Sequence, residues 1–227
     1  MSTDQTTPRS SGNRRSLLLG AAAFSSVAAF SLAGLNRAFA QFGAAPAGAM
    51  QMGTGDVGIL NFAYALEQLE AAFYTQVLST PYAGMDRFEG RVLKDVRDHE
   101  VAHVKFLAKA LGPNAIGSVP VNFSAVNFSS RESVLRTAMT FENVGVSAYN
   151  GAAQFLKNPG YLAAAGSIVS VEARHAAAIS DLLYPFSTAF AGDDVVDSLG
   201  LDVSRSPGEV APLVQPFIAA PLVPVQA

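Results

Sequence analysis

Apolar residues recur at every third or fourth position in four segments of the chain, which is the spacing of a helix with one buried face. The first segment begins at Thr54 or Asp56, either of which can cap a helix, and continues to about Leu78. Its apolar stripe consists of Phe62, Leu66, Leu69, Phe73 and Val77. The pattern predicts four long helices that share one core.

Turn and capping residues mark where the other three helices begin and end. Helix two is predicted over residues 86–111, where Gly112-Pro113 stops it. Ser129-Ser130-Arg131-Glu132 has the form of a capping box that opens helix three, which ends near Asn158-Pro159-Gly160. Helix four is predicted over residues 161–184, before a proline that cannot continue it.

The connections predict how these helices are arranged. Residues 79–84 form a short turn, so helices one and two should be antiparallel neighbours. Residues 112–129 are rich in Gly, Pro, Asn and Ser, and a loop of this length can reach roughly 60 Å when extended. A helix of about 24 residues is only roughly 36 Å long. We therefore predict an all-α four-helix bundle with one long crossover between helices two and three, which run parallel.

The segments outside the bundle are predicted to lack long helices. Residues 41–53 are small and show no periodicity, which indicates a linker. Residues 186–227 form a C-terminal extension with a short helix at residues 193–199. Its apolar second half contains Pro212, Pro216, Pro221 and Pro224. Proline excludes a fifth long helix, so we predict an extended strap that packs over the bundle at residues 54–185.

The first forty residues have the form of a twin-arginine signal peptide. Arg14 and Arg15 precede an apolar run that continues to about Leu35, and Ala38-Phe39-Ala40 matches a signal-peptidase site. An uncleaved membrane anchor is the alternative, because the run is nearly long enough to span a bilayer. Cleavage before Gln41 predicts a periplasmic or extracellular protein with no membrane segment.

Composition excludes several kinds of chemistry. The chain has 227 residues, of which 50% are hydrophobic and 15% charged, so it can bury a sizeable core. It contains no Cys, which excludes disulfides, zinc–thiolate sites and cysteine nucleophiles. The net charge is −3 and no basic stretch follows residue 40, which argues against a nucleic-acid partner.

Two copies of Glu-x-x-His each place a carboxylate and an imidazole one turn apart on the same face of a helix. In helix two the pair is Glu100 and His103. In helix four it is Glu172 and His175. Residues placed in this way can bind one metal ion. A single match would more often be a solvated helix face, but two matches use two of the three His in the chain.

Each copy is preceded, on the helix before it, by Glu-x6-Tyr. Helix one carries Glu67 and Tyr74, and helix three carries the equivalent pair Glu142 and Tyr149. Four carboxylates and two imidazoles from four helices are the ligand set of a dinuclear carboxylate site in a bundle core. The candidate metal ligands are Glu67, Glu100, His103, Glu142, Glu172 and His175.

Two neighbouring residues leave alternatives open. Glu70 rivals Glu67 as the ligand from helix one, and its other interpretation is a carboxylate beside the site or at the surface. His99 points about 100° away from Glu100, which indicates a surface residue or one that touches a ligand from outside. Carboxylate and imidazole ligands without sulfur suit iron or manganese, and the sequence does not choose between these metals.

In this order, and with this crossover, these motifs resemble the ferritin-like superfamily over about residues 55–185. The signal sequence and apolar tail are most similar to its exported branch, which includes desiccation-related proteins of plants and their bacterial relatives. The resemblance implies two iron or manganese ions, with Glu67 and Glu142 as terminal carboxylates. It also implies that Glu100 and Glu172 bridge the ions, while His103 and His175 each bind one.

The same resemblance places Tyr74 and Tyr149 beside the metal centre as candidate catalytic residues, hydrogen-bonded to ligand carboxylates. Their other interpretation is as ordinary core aromatics. The function it implies is that of an oxidoreductase with redox chemistry on oxygen or peroxide during oxidative or desiccation stress. We expect a monomer or dimer. The alternatives are a non-catalytic stress-protection protein with the same fold, or metal storage in a cage, against which the Pro-rich tail argues.

Overall fold

The computed structural model of the chain describes residues 47–223 and 225. The predicted signal peptide lies outside the described residues, as does the first part of the predicted linker. Four long helices dominate: α1 (Gly55–Ser79), α2 (Arg87–Leu111), α3 (Arg131–Ala153) and α4 (Pro159–Leu183). The described residues also contain two short strands and a short α-helix, β1 (Met50–Gln51), α5 (Pro207–Val214) and β2 (Leu222–Val223), besides three 3₁₀ turns. The predicted all-α bundle is confirmed.

The core of the bundle follows the apolar pattern of the sequence. Every residue of the stripe predicted for α1 is buried, with at most 3% of its surface exposed. The α1 helix buries all of these apolar side chains because it packs against α2, α3 and the crossover loop. None of the helices within residues 47–223 is long and apolar enough to cross a membrane.

Local side-chain caps explain where two of the long helices begin. The carboxylate of Asp86 accepts hydrogen bonds from the backbone N–H groups of Phe88 and Glu89, both at 2.8 Å. The side chain of Asn158 likewise accepts from the backbone N–H of Gly160 at 2.8 Å. These bonds satisfy donors that have no partner inside the helix, so they stabilise the first turn.

The capping box predicted at the start of helix three is wrong. Ser130 is the capping residue, and its hydroxyl accepts from the backbone N–H of Ser133 at 3.3 Å. Glu132 lies within the first turn and pairs with Arg136 one turn later, at 2.8 Å. A capping box needs the glutamate three residues after the cap, where its side chain can accept from the backbone N–H of the capping residue. Because the cap is Ser130 and not Ser129, Glu132 is only two residues after it.

Contacts between helix ends establish the predicted topology. Arg131 at the start of α3 forms an ion pair with Glu89 in the first turn of α2, at 2.6 Å. At the opposite end, Asp56 in the first turn of α1 accepts from the backbone N–H groups of Lys157 and Asn158, which join α3 to α4. The α2 and α3 helices therefore begin at the same end of the bundle and run parallel.

The crossover loop runs along α1 and is fastened to it by two polar side chains. Asn61 donates to the carbonyl of Asn114 and accepts from the N–H of Ile116, both at 2.9 Å. Further along, Gln68 accepts from the N–H of Val119 at 3.1 Å. These bonds satisfy three backbone groups of the loop, which has no regular backbone pairing of its own.

The C-terminal extension differs from the prediction in two places. The short helix expected at residues 193–199 is wrong, because turns occupy that segment and a single 3₁₀ turn (Ala189–Ala191) precedes it. The wholly extended strap is also wrong, because α5 begins at Pro207. Proline is well suited to the first helical position, and Ser206 and Glu209 supply a capping box there.

The extension nevertheless packs on the bundle and meets the N-terminal segment. The ring of Phe217 lies edge-on to that of Phe141 in α3, with ring centroids 4.7 Å apart. The β2 strand pairs in parallel with β1, Met50 opposite Leu222. Part of the predicted linker is therefore a strand, and the buried side chain of Met52 anchors it.

Candidate metal centre

The structure brings all six predicted ligands together in the middle of the bundle. Each long helix contributes at least one of them, and α2 and α4 contribute two each. The four glutamates of this set have no exposed surface, and His175 is 5% exposed. Buried carboxylates are costly unless they are protonated, paired or bound to a cation, so such a cluster points to a site and not to packing.

The ligand atoms form two overlapping groups. In the first, atoms of Glu67, Glu100, His103 and Glu172 all lie within 4.8 Å of one another. In the second, the same holds for Glu100, Glu142, Glu172 and His175. Glu100 and Glu172 belong to both groups. The arrangement can therefore hold two cations with a shared pair of carboxylates between them.

His103 directs one ring nitrogen at three carboxylates at once. Its Nδ1 lies 3.1 Å from Glu67, 3.3 Å from Glu100 and 3.2 Å from Glu172. A single imidazole nitrogen carries at most one hydrogen, so it cannot donate to all three. A cation between the nitrogen and the oxygens would use all four atoms together.

His175 repeats this arrangement in the second group. Its Nδ1 lies 2.8 Å from Glu100 and 3.4 Å from Glu142. These distances are short, yet the angles do not suit hydrogen bonds, and Nδ1 is a buried atom without a hydrogen-bond partner. The orientation is that of a ligand facing a point between itself and the carboxylates.

Most of the buried side-chain atoms that lack a hydrogen-bond partner belong to this cluster. Within the described residues they include one oxygen each of Glu100 and Glu142, both oxygens of Glu172, and Nδ1 of His175. An unpaired buried polar group costs about 1–3 kcal/mol. Because every one of these atoms is a candidate ligand atom, the donor set fits a metal centre.

The two tyrosines fasten the carboxylates crosswise. Tyr74 of α1 donates its hydroxyl hydrogen to Glu142 of α3 at 2.5 Å, and Tyr149 of α3 donates to Glu67 of α1. Each Glu-x6-Tyr motif therefore supplies a candidate ligand to one half of the site and a hydrogen bond to the other. Burial raises the pKa of both tyrosines well above the usual value, so they stay neutral donors.

Without a bound cation, protons balance part of the negative charge of this cluster. Burial raises the pKa of Glu67 to about 8 and that of Glu172 well above its usual range. Burial also disfavours the charged form of His103, but Glu100, Glu172 and Glu67 outweigh it and raise the pKa to about 12. Burial alone would likewise raise the pKa of Glu100, but the neighbouring imidazoles of His103 and His175 lower it to about 2. Metal binding would displace these protons.

A known protein family matches the chain over the same residues as the four-helix bundle. The family model of the ferritin-like domain matches residues 55–185, which is more than half of the chain. The chain belongs to the ferritin-like domain family. The matched segment contains α1 to α4 and the whole Glu/His cluster. No curated protein matches the chain.

In this ferritin-like domain, Glu70 lies beside the two groups and not within them. It is buried, with 3% of its surface exposed, and stands one turn after Glu67 on α1. A Cβ added at Gly145 would lie 3.2 Å from an oxygen of Glu70 and 3.2 Å from an oxygen of Glu172. The missing side chain at Gly145 thus provides the space that Glu70 occupies. Sequence reasoning missed this glycine, whose role depends on a partner from another helix.

His99 contacts the ferritin-like site from outside. Although its side chain is exposed, its Nδ1 lies 2.9 Å from Nε2 of His175. The angle between His99 and Glu100 correctly predicts that His99 points away from the cluster. The contact with His175 depends on how α2 and α4 are placed side by side.

Proposed function

We propose that this ferritin-like protein binds two iron or manganese ions and uses them for redox chemistry on oxygen or peroxide. The single observation that carries the proposal is the pair of overlapping ligand groups that share Glu100 and Glu172. Six oxygen and nitrogen ligands without sulfur suit these two metals. When bound, two ions that each give up one electron would supply the two electrons that, with two protons, reduce hydrogen peroxide to water.

The chain itself would bind, orient and shield the centre. Glu67 and His103 would hold one ion, Glu142 and His175 the other, and the shared carboxylates would lie between them. The hydroxyl groups of Tyr74 and Tyr149 would keep the terminal carboxylates in place, which limits their movement when the charge of the centre changes. The side chain of His103 is 12% exposed, so small molecules would approach from that side.

Metal binding is tested by purifying the protein from its native compartment and measuring iron and manganese by mass spectrometry. We expect about two ions per chain in the wild type. His103 belongs to only one of the two groups, so His103→Ala should lose about one ion and, with it, the consumption of peroxide or oxygen. Lys94→Ala, which removes an exposed side chain of the same helix, is the control. A wild-type protein that takes up neither metal would contradict the proposal.

We also propose export by the twin-arginine route and maturation by cleavage before Gln41. The paired arginines, the apolar run and Ala38-Phe39-Ala40 support it. Mass spectrometry of the secreted or periplasmic protein should show an N-terminus at Gln41. Replacement of Arg14 and Arg15 by Lys should leave the precursor inside the cell, and a mature protein in that double variant would contradict this route.

A non-catalytic metal-binding or stress-protection protein is the second candidate. The complete burial of Glu67, Glu100, Glu142 and Glu172 favours it, because a substrate must approach ions surrounded by these side chains. Metal-loaded protein that protects cells but consumes no oxygen or peroxide would support this candidate. Size-exclusion chromatography addresses storage, since we propose a monomer or dimer and a cage would elute as a shell of many subunits.

A further inference from the structure

We propose that His99 is a positioning residue for the metal ligand His175, and that the two metal positions therefore differ in affinity. The inference rests on the proposed dinuclear centre. It concerns a residue of α2 that lies outside both ligand groups and reaches the centre only through a ligand of α4.

The geometry between the two rings is that of a hydrogen bond. Their planes differ by only 9° and their centroids are 5.2 Å apart. The closest atoms are Nδ1 of His99 and Nε2 of His175, at 2.9 Å. This separation is the usual one for nitrogen hydrogen bonds and is shorter than the contact between stacked atoms. The rings thus meet nitrogen to nitrogen and not face to face.

The direction of this bond follows from which nitrogen of His175 faces the cluster. Nδ1 of His175 lies 2.8 Å from Glu100 and points at the second ligand group. An imidazole that gives the lone pair of Nδ1 to a metal keeps its hydrogen on Nε2. Nε2 of His175 then donates, and Nδ1 of His99 accepts. Such an outer partner fixes the tautomer and the ring orientation of a metal-binding histidine.

The other metal position has no equivalent support. His103 faces its group through the same nitrogen, Nδ1. Within residues 47–223 and 225 its Nε2 has no hydrogen-bond partner, and its partly exposed side chain leaves that nitrogen to solvent. The position in α4 that corresponds to His99 is Val171, which directly precedes Glu172 and offers no acceptor. The two halves thus supply the same ligands but different outer contacts.

The test compares His99→Leu, which removes the acceptor, with His99→Asn, whose amide oxygen can stand where Nδ1 stands. Asp98→Asn is the control, because Asp98 is the neighbouring exposed residue and pairs outward with Lys94 and Arg97 at 2.6 Å. The metal-free full chain of each variant is titrated with Mn²⁺ alone, and free Mn²⁺ is measured by its electron paramagnetic resonance signal. Circular dichroism establishes that each variant is folded.

We expect His99→Leu to weaken one of two Mn²⁺ positions by about 10–100-fold and to leave the other unchanged, since this is the usual effect of removing an outer partner. His99→Asn should recover most of that affinity, and Asp98→Asn should bind like the wild type. The inference is overturned if His99→Leu keeps both affinities or weakens both equally, or if His99→Asn binds as weakly as His99→Leu. In those cases the proposed dinuclear centre still stands. A wild type that binds no Mn²⁺ or Fe²⁺ would instead overturn the proposed function, and this inference with it.

Discussion

The two halves of the bundle, α1 with α2 and α3 with α4, carry the same ligands in the same order but surround them differently. Each half contributes one Glu-x6-Tyr and one Glu-x-x-His. Where the first half has Glu70 and His99, the second has Gly145 and Val171 at the corresponding positions. The residues that the two halves share are those that a proposed pair of cations would need as ligands. The surroundings are free to differ, and this difference is the basis of the proposed difference in affinity between the two metal positions.

The tyrosines show that the halves are nevertheless one unit. Tyr74 serves the glutamate of α3, and Tyr149 serves the glutamate of α1. Neither half therefore completes its own site. The crossover makes this exchange feasible, because parallel α2 and α3 place α1 and α3 side by side in opposite directions.

Removal of a carboxylate shared by both groups should have the largest effect on metal binding. Glu172→Gln should abolish binding of both ions, because Glu172 belongs to both groups, whereas Glu142→Gln should retain about one ion. Glu132→Gln, in an exposed ion pair on α3, is the control. Metal content per chain after dialysis checks this expectation. Equal losses in Glu172→Gln and Glu142→Gln would contradict the shared role.

The pH dependence of the metal-free protein should be the next largest effect. Burial raises the pKa of Glu67 from 4.5 to about 8, and Glu100 and Glu142 raise that of His175 from 6.5 to about 10 against the opposing effect of burial. A pKa raised by folding contributes stability that is complete below the unfolded value and is lost as the pH rises through the folded value. We therefore expect the free energy of unfolding to fall, on the order of a few kcal/mol, between pH 6 and pH 9.

Bound metal should reverse this pH dependence, so that the free energy of unfolding rises with pH. The reason is that cations bind only to the deprotonated ligands and release the protons as they bind. Thermal unfolding followed by circular dichroism, with and without Mn²⁺, measures both slopes. A Tm of the metal-free protein that stays level or rises from pH 6 to pH 9 would contradict the buried, protonated cluster.

The crosswise hydrogen bonds predict a smaller, symmetric effect. Tyr74→Phe and Tyr149→Phe each leave an oxygen of a buried glutamate without its donor, which should cost about 1–3 kcal/mol of unfolding free energy. Urea unfolding of the metal-free protein measures it, with Tyr184→Phe, at a half-exposed position, as the control. Because the two hydrogen bonds are equivalent, both variants should lose a similar amount of unfolding free energy. A loss in one variant alone would contradict this equivalence.

Several of these features could be predicted from the sequence because they depend on spacing within one helix. The Glu-x-x-His pairs share a helix face whatever the tertiary structure, and the length of residues 112–129 indicates the crossover. The crosswise partner of Tyr74 could not be predicted, because it depends on the relative height of α1 and α3. The same holds for the contact between His99 and His175.

Two predictions made from local sequence alone were wrong, the capping box of α3 and the extended C-terminal segment. Ser129 and Ser130 are both suitable caps by residue type, and in the structure Ser130 takes the role. The prolines of the C-terminal segment suggested an extended strap. Pro207 instead stands at the first position of α5, where a missing N–H costs nothing, so the same residue type begins a helix.

The smallest predicted effect concerns the space between Glu70 and Gly145. Alanine is favoured over glycine in a helix by about 1 kcal/mol, but the added Cβ of Gly145→Ala would approach oxygens of Glu70 and Glu172 to 3.2 Å. We expect these effects nearly to cancel in unfolding free energy, while Mn²⁺ affinity falls because a shared ligand is displaced.

The double variant Glu70→Ala/Gly145→Ala separates the two contributions. Removal of the Glu70 carboxyl gives the new methyl group room, so Gly145→Ala should be more favourable in the Glu70→Ala background than in the wild type, by up to about 1 kcal/mol. A double-mutant cycle in urea, compared with Gly166→Ala at an open position of α4, measures this coupling. If the two substitutions have independent effects on unfolding free energy, Gly145 makes no room for Glu70. The difference between the halves at Glu70 and Gly145 would then have no structural consequence.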